Sequence, residues 1–102
     1  MDYKHLADQL DMSEEEFSEL AALFVTITRA DLKKIRQGVS NDNPSRAAAA
    51  AHSIKGAAGN LGFTHMAELA KKMEALANAG NLDNFDVYIM DLETRVEALA
   101  AT

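Results

Sequence analysis

The stretch "AAAAAHSIKGAAGNLGF", residues 47–63, decides the fold of this chain, because it places a strong helix former beside two glycines that weaken a helix. Each glycine inside a helix lowers the stability of the helix by about 1 kcal/mol relative to alanine. The apolar residues that recur at helical spacing, and so predict the side that faces a core, are Ala47, Ala50, Ala51, Ile54, Ala57, Ala58 and Leu61. The stretch therefore predicts an amphipathic helix with Gly56 and Gly59 on its outer face.

His52 is predicted to lie on the solvent side of this helix. It precedes Ile54 by two residues, which is about 200° around the axis at roughly 100° per residue. Its neighbours on the outer face are Ala48, Ala49, Lys55, Gly56 and Gly59. A glycine on the outside of a helix leaves room for the backbone of another molecule or for a ligand. We interpret this face as a docking surface; the alternative is that the glycines pack against a fifth segment.

The chemistry of this face points to a reactive histidine. A neutral imidazole is a competent nucleophile near pH 7, because its unperturbed pKa is about 6.5. Lys55, at position i+3, can neutralise an oxyanion or a phosphoryl group attached to His52. Considered separately, His52 could be a surface histidine without a function and Lys55 an ordinary solvated lysine. The combination of the two residues on this face favours a functional site.

The first long helix is predicted over residues 13–38. Ser13 and Glu16 form a capping box that opens it, and Gly38 with the polar "SNDN" ends it. Its predicted core stripe consists of Phe17, Leu20, Phe24, Ile27/Thr28, Leu32 and Ile35.

Three further helices follow. Asn43 as N-cap and Pro44 at the first helical position open the second helix, which ends near Gly62. Thr64 is predicted to cap the third helix, and a fourth begins near Asp83. The apolar stripes of these last two helices comprise Met66, Leu69, Met73 and Leu76, then Phe85, Ile89, Leu92, Val96 and Leu99.

These elements predict an all-α protein, since no segment alternates apolar and polar residues over strand length. Short connections make sequential helices antiparallel neighbours. We expect an up-down-up-down four-helix bundle over about residues 13–100, with residues 2–10 as a short extra helix across one end. The whole chain, residues 1–102, is predicted to be a single domain.

Composition excludes several classes of protein. The net charge of −6 is the wrong sign for holding nucleic acid through its phosphates. The absence of cysteine removes disulfides, thiolate metal sites and thiol nucleophiles. No apolar run approaches the roughly 18 residues of a membrane span, and the polar start is unlike a signal peptide. We therefore expect a cytoplasmic protein with no nucleic-acid or membrane partner.

The residues around His52 also resemble a known family. "AHSIKGAAGNLGF", followed by "MAELAKKMEALANAGNLD", is similar to the signature of the histidine-containing phosphotransfer domain of bacterial multistep phosphorelays. The resemblance implies a four-helix bundle in which His52 accepts a phosphoryl group, Lys55 stabilises it, and Gly56 and Gly59 give clearance for a docking receiver. Ala57 departs from the serine or threonine of many members, and we interpret Glu74, at the family's late glutamate, as structural.

The resemblance also implies the partners and the chemistry. His52 would take the phosphoryl group from the aspartyl phosphate of one receiver domain and pass it to the aspartate of another. The partners would be response-regulator receivers, a hybrid sensor histidine kinase, or both. We expect a monomer that binds no cofactor itself, with Mg²⁺ supplied by the receiver. Because the sequence has no glycine-rich phosphate-binding loop, we predict that the chain is a phosphocarrier and not a kinase.

Basic residues in the middle of the chain are candidates for steering an acidic receiver pocket onto His52. Antiparallel packing puts residues 29–33 of the first long helix level with His52, so Arg29 and Lys33 are expected at the same rim. The full set that we consider is Arg29, Lys33, Lys34, Lys55, Lys71 and Lys72.

Two other functions are weighed against phosphotransfer. An adaptor bundle would use the small-residue strip to dock a partner helix, and its function would survive His52→Gln. A metal site built from His5, His52 and His65 is disfavoured, because no pair of these histidines has the i, i+3 or i, i+4 spacing of helical ligands.

Overall fold

The structure, a computed structural model, describes residues 3–102 and contains five helices and no strand over that range. The helices are α1 (Tyr3–Gln9), α2 (Glu14–Ser40), α3 (Pro44–Asn60), α4 (Thr64–Asn78) and α5 (Phe85–Ala100). Helices α2 to α5 form the bundle, and α1 packs against α2. The all-helical bundle with a short additional N-terminal helix is therefore confirmed.

The first two long helices begin where local capping chemistry predicts. The Ser13 hydroxyl accepts a hydrogen bond from the Glu16 backbone N–H, and the Glu16 carboxylate accepts one from the Ser13 N–H. The Asn43 side chain accepts from the Arg46 N–H, and Pro44 is the first residue of α3. These contacts satisfy backbone donors that a helix start would leave without partners.

Contacts between neighbouring helices set the level of each one along the bundle. The Ser53 hydroxyl on α3 donates to the Asp31 carboxylate on α2 over 2.6 Å, and Arg29 on α2 pairs with Glu97 on α5. Between the helices lies a hydrophobic core that contains the whole predicted apolar stripe of α5: Phe85, Ile89, Leu92, Val96 and Leu99. Helix α1 closes one side, where the Tyr3 hydroxyl donates to the Leu99 carbonyl.

Gly38 does not stop α2, contrary to the sequence prediction. It is buried inside the helix, which continues to Ser40. A Cβ at residue 38 would lie 3.0 Å from both the Ala47 nitrogen and the Asn43 oxygen. Glycine is used there because the backbone of α3 passes directly over it.

The predicted core stripe of α2 is wrong at Leu20, which is 39% exposed, and of the two alternatives Ile27 and Thr28 it is Thr28 that is buried, while Ile27 is 41% exposed. Ala21 and Val25 are also buried, although the predicted stripe did not include them. The apolar residues of α2 form a face that is wider than the part of the helix its neighbouring helices cover. Helical periodicity alone therefore could not predict which edge of this apolar face is buried.

The starts of the last two helices differ from the sequence prediction in detail. Thr64 is the first residue of α4, and the N-cap position belongs to Phe63, with no side-chain cap. Helix α5 begins at Phe85, two residues after Asp83, because Asn84 takes a left-handed conformation with φ of 64°. No helix within residues 3–102 is long and apolar enough to cross a membrane.

Candidate functional site

His52 lies on the exposed face of α3, as its spacing from Ile54 predicts. Its side chain is 66% exposed, whereas Ile54 is fully buried on the opposite side of the helix. One turn further along, Lys55 is partly buried at the seam with α4. The middle of α3 thus presents one imidazole to solvent.

Glu74 of α4 lies directly beside the histidine, which corrects its interpretation as merely structural. Its Oε2 is 2.7 Å from His52 Nδ1, and its Oε1 accepts a hydrogen bond of 2.7 Å from Lys55 Nζ. The α3–α4 hairpin brings these groups together, because His52 and Glu74 each lie eleven residues from Phe63 in the connecting turn. That symmetry was the signal in the sequence that could have located Glu74.

The carboxylate stays ionised between its two partners. The hydrogen bond from Lys55, and then the one from His52, hold the pKa of Glu74 below its usual value, although partial burial opposes this. An ionised carboxylate can only accept hydrogen bonds. The hydrogen of a neutral His52 must therefore sit on Nδ1, and the lone pair on Nε2 is left available.

Gly56 and Gly59 continue the exposed face of α3 beyond the histidine. Within residues 3–102, no atom outside the adjoining turns of α3 lies within 4 Å of the position that a Cβ would occupy at either residue. Packing against a fifth segment is thereby contradicted for both glycines. The glycines lower the surface along one side of His52, so a large molecule can approach the imidazole closely.

The two alanines before His52 lie in different environments. Ala49 is exposed, but Ala48 is only 6% exposed, so its predicted place on the outer face is wrong. Ala48 precedes Lys55 by seven residues, nearly two turns, and both therefore turn toward α4. A pocket of about 350 Å³ adjoins the imidazole here, lined by Ser45, Ala48, Ala49, His52, Glu74 and Asn78.

Arg29 and Lys33 share the level of His52 but not its side of the bundle. The Ser53–Asp31 hydrogen bond confirms that this part of α2 lies beside the histidine's turn of α3. Arg29, about 200° around α2 from Asp31, instead forms a two-pronged ion pair with Glu97 on α5, and Lys33 lines the same α2–α5 cleft. The expected rim of Arg29 and Lys33 around His52 is therefore wrong.

The other basic residues of the steering set are differently placed. Lys34 Nζ lies 3.9 Å from the buried Asp31, and Lys72 Nζ sits 4.8 Å from the centre of the Tyr88 ring. Lys71 is exposed on α4. Among the contacts of residues 3–102, Lys55 is the one member of the set that shares a partner, Glu74, with His52.

The three histidines do not form a common site. His65 Nε2 approaches Asp91 of α5 at 3.4 Å, while His52 faces Glu74 of α4, and His5 belongs to α1. Within residues 3–102, no group of three or more histidine and acidic side chains could hold a metal ion.

Comparison with known protein families matches residues 19–102 to the Hpt domain. The chain belongs to the Hpt domain family. This confirms the resemblance seen around His52 and makes the chain a component of histidine phosphotransfer in phosphorelays, where Hpt domains act as phosphocarriers with receiver domains and kinases. Comparisons with curated proteins and with solved structures found no match.

Proposed function

We propose that this Hpt domain is a phosphocarrier in which His52 Nε2 accepts a phosphoryl group from the aspartyl phosphate of a receiver and passes it to a second receiver. The observation that supports this most directly is the Glu74 contact with Nδ1. It fixes the ring so that the nitrogen available for attack is the one remote from α4. The exposure of the imidazole and the glycine clearance make that nitrogen accessible.

The transfer forms one bond and breaks one bond. The Nε2 lone pair attacks phosphorus, the P–O bond of the acyl phosphate breaks, and the electron pair leaves on the receiver's aspartate. The ring gains positive charge as it attacks, and Glu74, 2.7 Å from Nδ1, stabilises that charge. Reversal of the same step delivers the phosphoryl group to the next aspartate.

Lys55 supplies the positive charge nearest to this reaction. Its ammonium is bound to Glu74 in the structure, one helical turn from His52. A lysine is a mobile point charge with three donors, so it can remain on Glu74 while another hydrogen is offered to a phosphoryl oxygen. We assign it to stabilising the phosphoryl group, since such catalysis depends on position and charge neutralisation.

Mg²⁺ in this proposal belongs to the receiver. Mg²⁺ prefers several oxygen ligands, and the Glu74 carboxylate beside His52 already accepts two hydrogen bonds. The receiver's own acidic cluster would hold the ion and neutralise the transferring group. The chain then acts as a carrier without kinase activity of its own.

The decisive test combines this protein with receiver domains charged with acetyl phosphate in the presence of Mg²⁺. We expect acid-labile, alkali-stable phosphate on the wild type and none on His52→Gln. His65→Gln is the matched control, because His65 is also an exposed histidine beside a carboxylate. Equal labelling of wild type and His52→Gln would remove His52 from the reaction, and no label on either protein would favour the adaptor function.

A further inference from the structure

A pocket of about 470 Å³ opens at the end of the bundle where α1, the α3–α4 turn and α5 meet. Its lining includes Leu6 of α1, Phe63 of the turn and Ala98 of α5. Asn60, at the end of α3, lies about 12 Å along that helix from His52 at 1.5 Å per residue. No residue of this lining borders the pocket beside the imidazole. The volume is typical of small-molecule sites, and the pocket is separate from the phosphoryl chemistry.

The inner wall of this pocket is apolar and belongs to the core. Phe63 and Met66 are only 3% and 2% exposed, so packing fixes their side chains. Leu6 of α1 covers the turn, since its Cδ2 lies 3.5 Å from the position that a Cβ would occupy at Gly62. A wall of this kind favours an apolar ligand body, because removing apolar area from water stabilises a complex.

The rim of the pocket carries basic side chains. His5, His65 and Arg95 line it, whereas no Asp or Glu is among its lining residues. The start of α4, which has no side-chain cap, belongs to the same lining and adds the positive end of a helix dipole. The pocket therefore combines an apolar wall with a rim that prefers a negative charge.

Asp91 holds Arg95 without using the whole guanidinium. The Asp91 Oδ1 accepts from Arg95 Nε over 2.8 Å, and its Oδ2 lies 3.4 Å from His65 Nε2. The hydrogen bond from Arg95, and then the one from His65, hold the pKa of Asp91 below its usual value, although partial burial opposes this. Within residues 3–102, the two Nη groups of Arg95 form no hydrogen bond. This edge of the guanidinium can bind a carboxylate through two parallel N–H bonds.

We propose that this pocket binds a small organic acid, whose carboxylate pairs with the Nη edge of Arg95 and whose apolar body lies against Phe63 and Met66. The charge of the rim selects this class of ligand. A neutral apolar molecule would give the Nη donors no acceptor, and an organic cation would face a like charge. The proposal does not depend on phosphotransfer, since it uses no residue of the phosphoryl site.

The complete pocket depends on α1, which lies outside the family match. His5 and Leu6 precede residue 19, where the match to the Hpt domain begins, and the other lining residues follow it. The N-terminal helix of this chain thus completes a site that the matched part of the bundle forms only partly.

Three probes with the same six-carbon chain test the class of ligand: hexanoate, hexan-1-ol and hexylammonium. Two-dimensional NMR of the full chain should show saturable shifts of the Leu6 and Met66 methyl signals with hexanoate. The dissociation constants of the alcohol and the ammonium should be at least tenfold higher, since neither can form the charge-assisted pair with Arg95. The absence of saturable shifts at the pocket, or equal binding of hexanoate and hexan-1-ol, would overturn the site.

Two variants separate the charge of the site from its shape. Arg95→Gln should weaken hexanoate binding at least tenfold and leave hexan-1-ol binding unchanged. Ala98→Phe, at an exposed lining residue, should block both probes by filling the pocket. Arg36→Gln is the matched control, because Arg36 is also an exposed arginine paired with a carboxylate, and its loss changes the net charge equally.

Urea unfolding checks that each of these variants is folded. Hexanoate binding at wild-type strength by Arg95→Gln or by Ala98→Phe would contradict the assignment. Equal weakening by Arg95→Gln and Arg36→Gln would reduce the effect to net charge and would also overturn the site.

A phosphoryl-transfer measurement tests whether hexanoate binds at His52 instead. Phosphoramidate, a small phosphoryl donor that needs no receiver, should label His52 at the same rate with and without saturating hexanoate, because the pocket lies away from the imidazole. Competition between hexanoate and phosphoramidate would place the carboxylate at His52 and overturn the site at Arg95.

Discussion

At the scale of single residues, one carboxylate organises the site. Glu74 holds His52 by Nδ1 and Lys55 by Nζ, so it sets both the tautomer of the nucleophile and the position of the nearest cation. The sequence identified His52 and Lys55 because both belong to one helix, where spacing defines direction. Glu74 was missed because its contact depends on how two helices are aligned.

Glu74→Gln should slow phosphotransfer by roughly ten- to a hundredfold, which corresponds to losing a charge-assisted hydrogen bond worth about 1.5–3 kcal/mol. A glutamine has one acceptor oxygen, so it cannot serve both His52 and Lys55, and it carries no charge to stabilise the ring. The rate from a charged receiver is the measurement. Nitrogen NMR of His52 supplies a readout that a purely structural role would not move, since the Nδ1–H tautomer should lose its predominance.

Acid should remove the Glu74 contribution to stability. Its pKa in the folded protein is lowered, chiefly by Lys55, relative to about 4.3 when unfolded. The contribution is therefore complete above the unfolded pKa and is lost as pH falls through the folded pKa. Chemical unfolding of wild type and Glu74→Gln should show a difference that is constant above about pH 5 and shrinks below pH 4. A difference that grew with acid would contradict this assignment.

At the scale of helices, the three helical glycines have opposite roles. Gly56 and Gly59 face open space on α3, whereas a Cβ at Gly38 of α2 would press on the α3 backbone. The sequence placed the first two correctly on an outer face. It could not recognise the third, because the close approach of α2 and α3 is a property of their packing.

Alanine at these positions should therefore change stability in opposite directions. Gly56→Ala and Gly59→Ala should each stabilise the fold by about 0.5–1 kcal/mol, since alanine favours the helix. Gly38→Ala should destabilise it by about 1–3 kcal/mol through overpacking. Urea unfolding measures both effects, and the same direction of change at all three positions would contradict the packing described here.

The stabilised variants should also transfer phosphate more slowly from a receiver. A methyl group at residue 56 or 59 narrows the clearance beside His52 without touching the imidazole. Phosphoramidate labelling should be unchanged, because a small donor does not need that clearance. Receiver transfer at the wild-type rate by Gly56→Ala with Gly59→Ala would show that the glycines are not required for docking.

At the scale of the whole molecule, α1 supports the fold from outside the family match. The Tyr3 ring packs edge-on against Phe17 with centroids 5.3 Å apart, and its hydroxyl reaches Leu99 in α5. The family match begins at residue 19. A short helix was expected here, but which side chains it would contact was not readable from sequence, since these partners lie 14 and 96 residues away.

Tyr3→Ala should lower the free energy of unfolding by about 1–2 kcal/mol, through loss of the aromatic pair and the hydrogen bond. Phosphoramidate labelling of His52 should stay at the wild-type level below the unfolding transition, because neither Tyr3 contact involves α3 or α4. Thermal unfolding measures the loss of stability, and phosphoramidate labelling at 20 °C measures whether His52 still accepts a phosphoryl group. Loss of labelling in the folded variant would show that α1 influences the site.

Every residue assigned to the phosphoryl chemistry belongs to one continuous hairpin, α3 with α4. The proposed clearance at Gly56 and Gly59 lies on the same hairpin, so the reaction and part of the partner contact are carried together by residues 44–78. A chimera that places residues 44–78 in the bundle of another Hpt domain should therefore keep the contacts of Glu74 with His52 and Lys55, which makes the hairpin a transplantable unit.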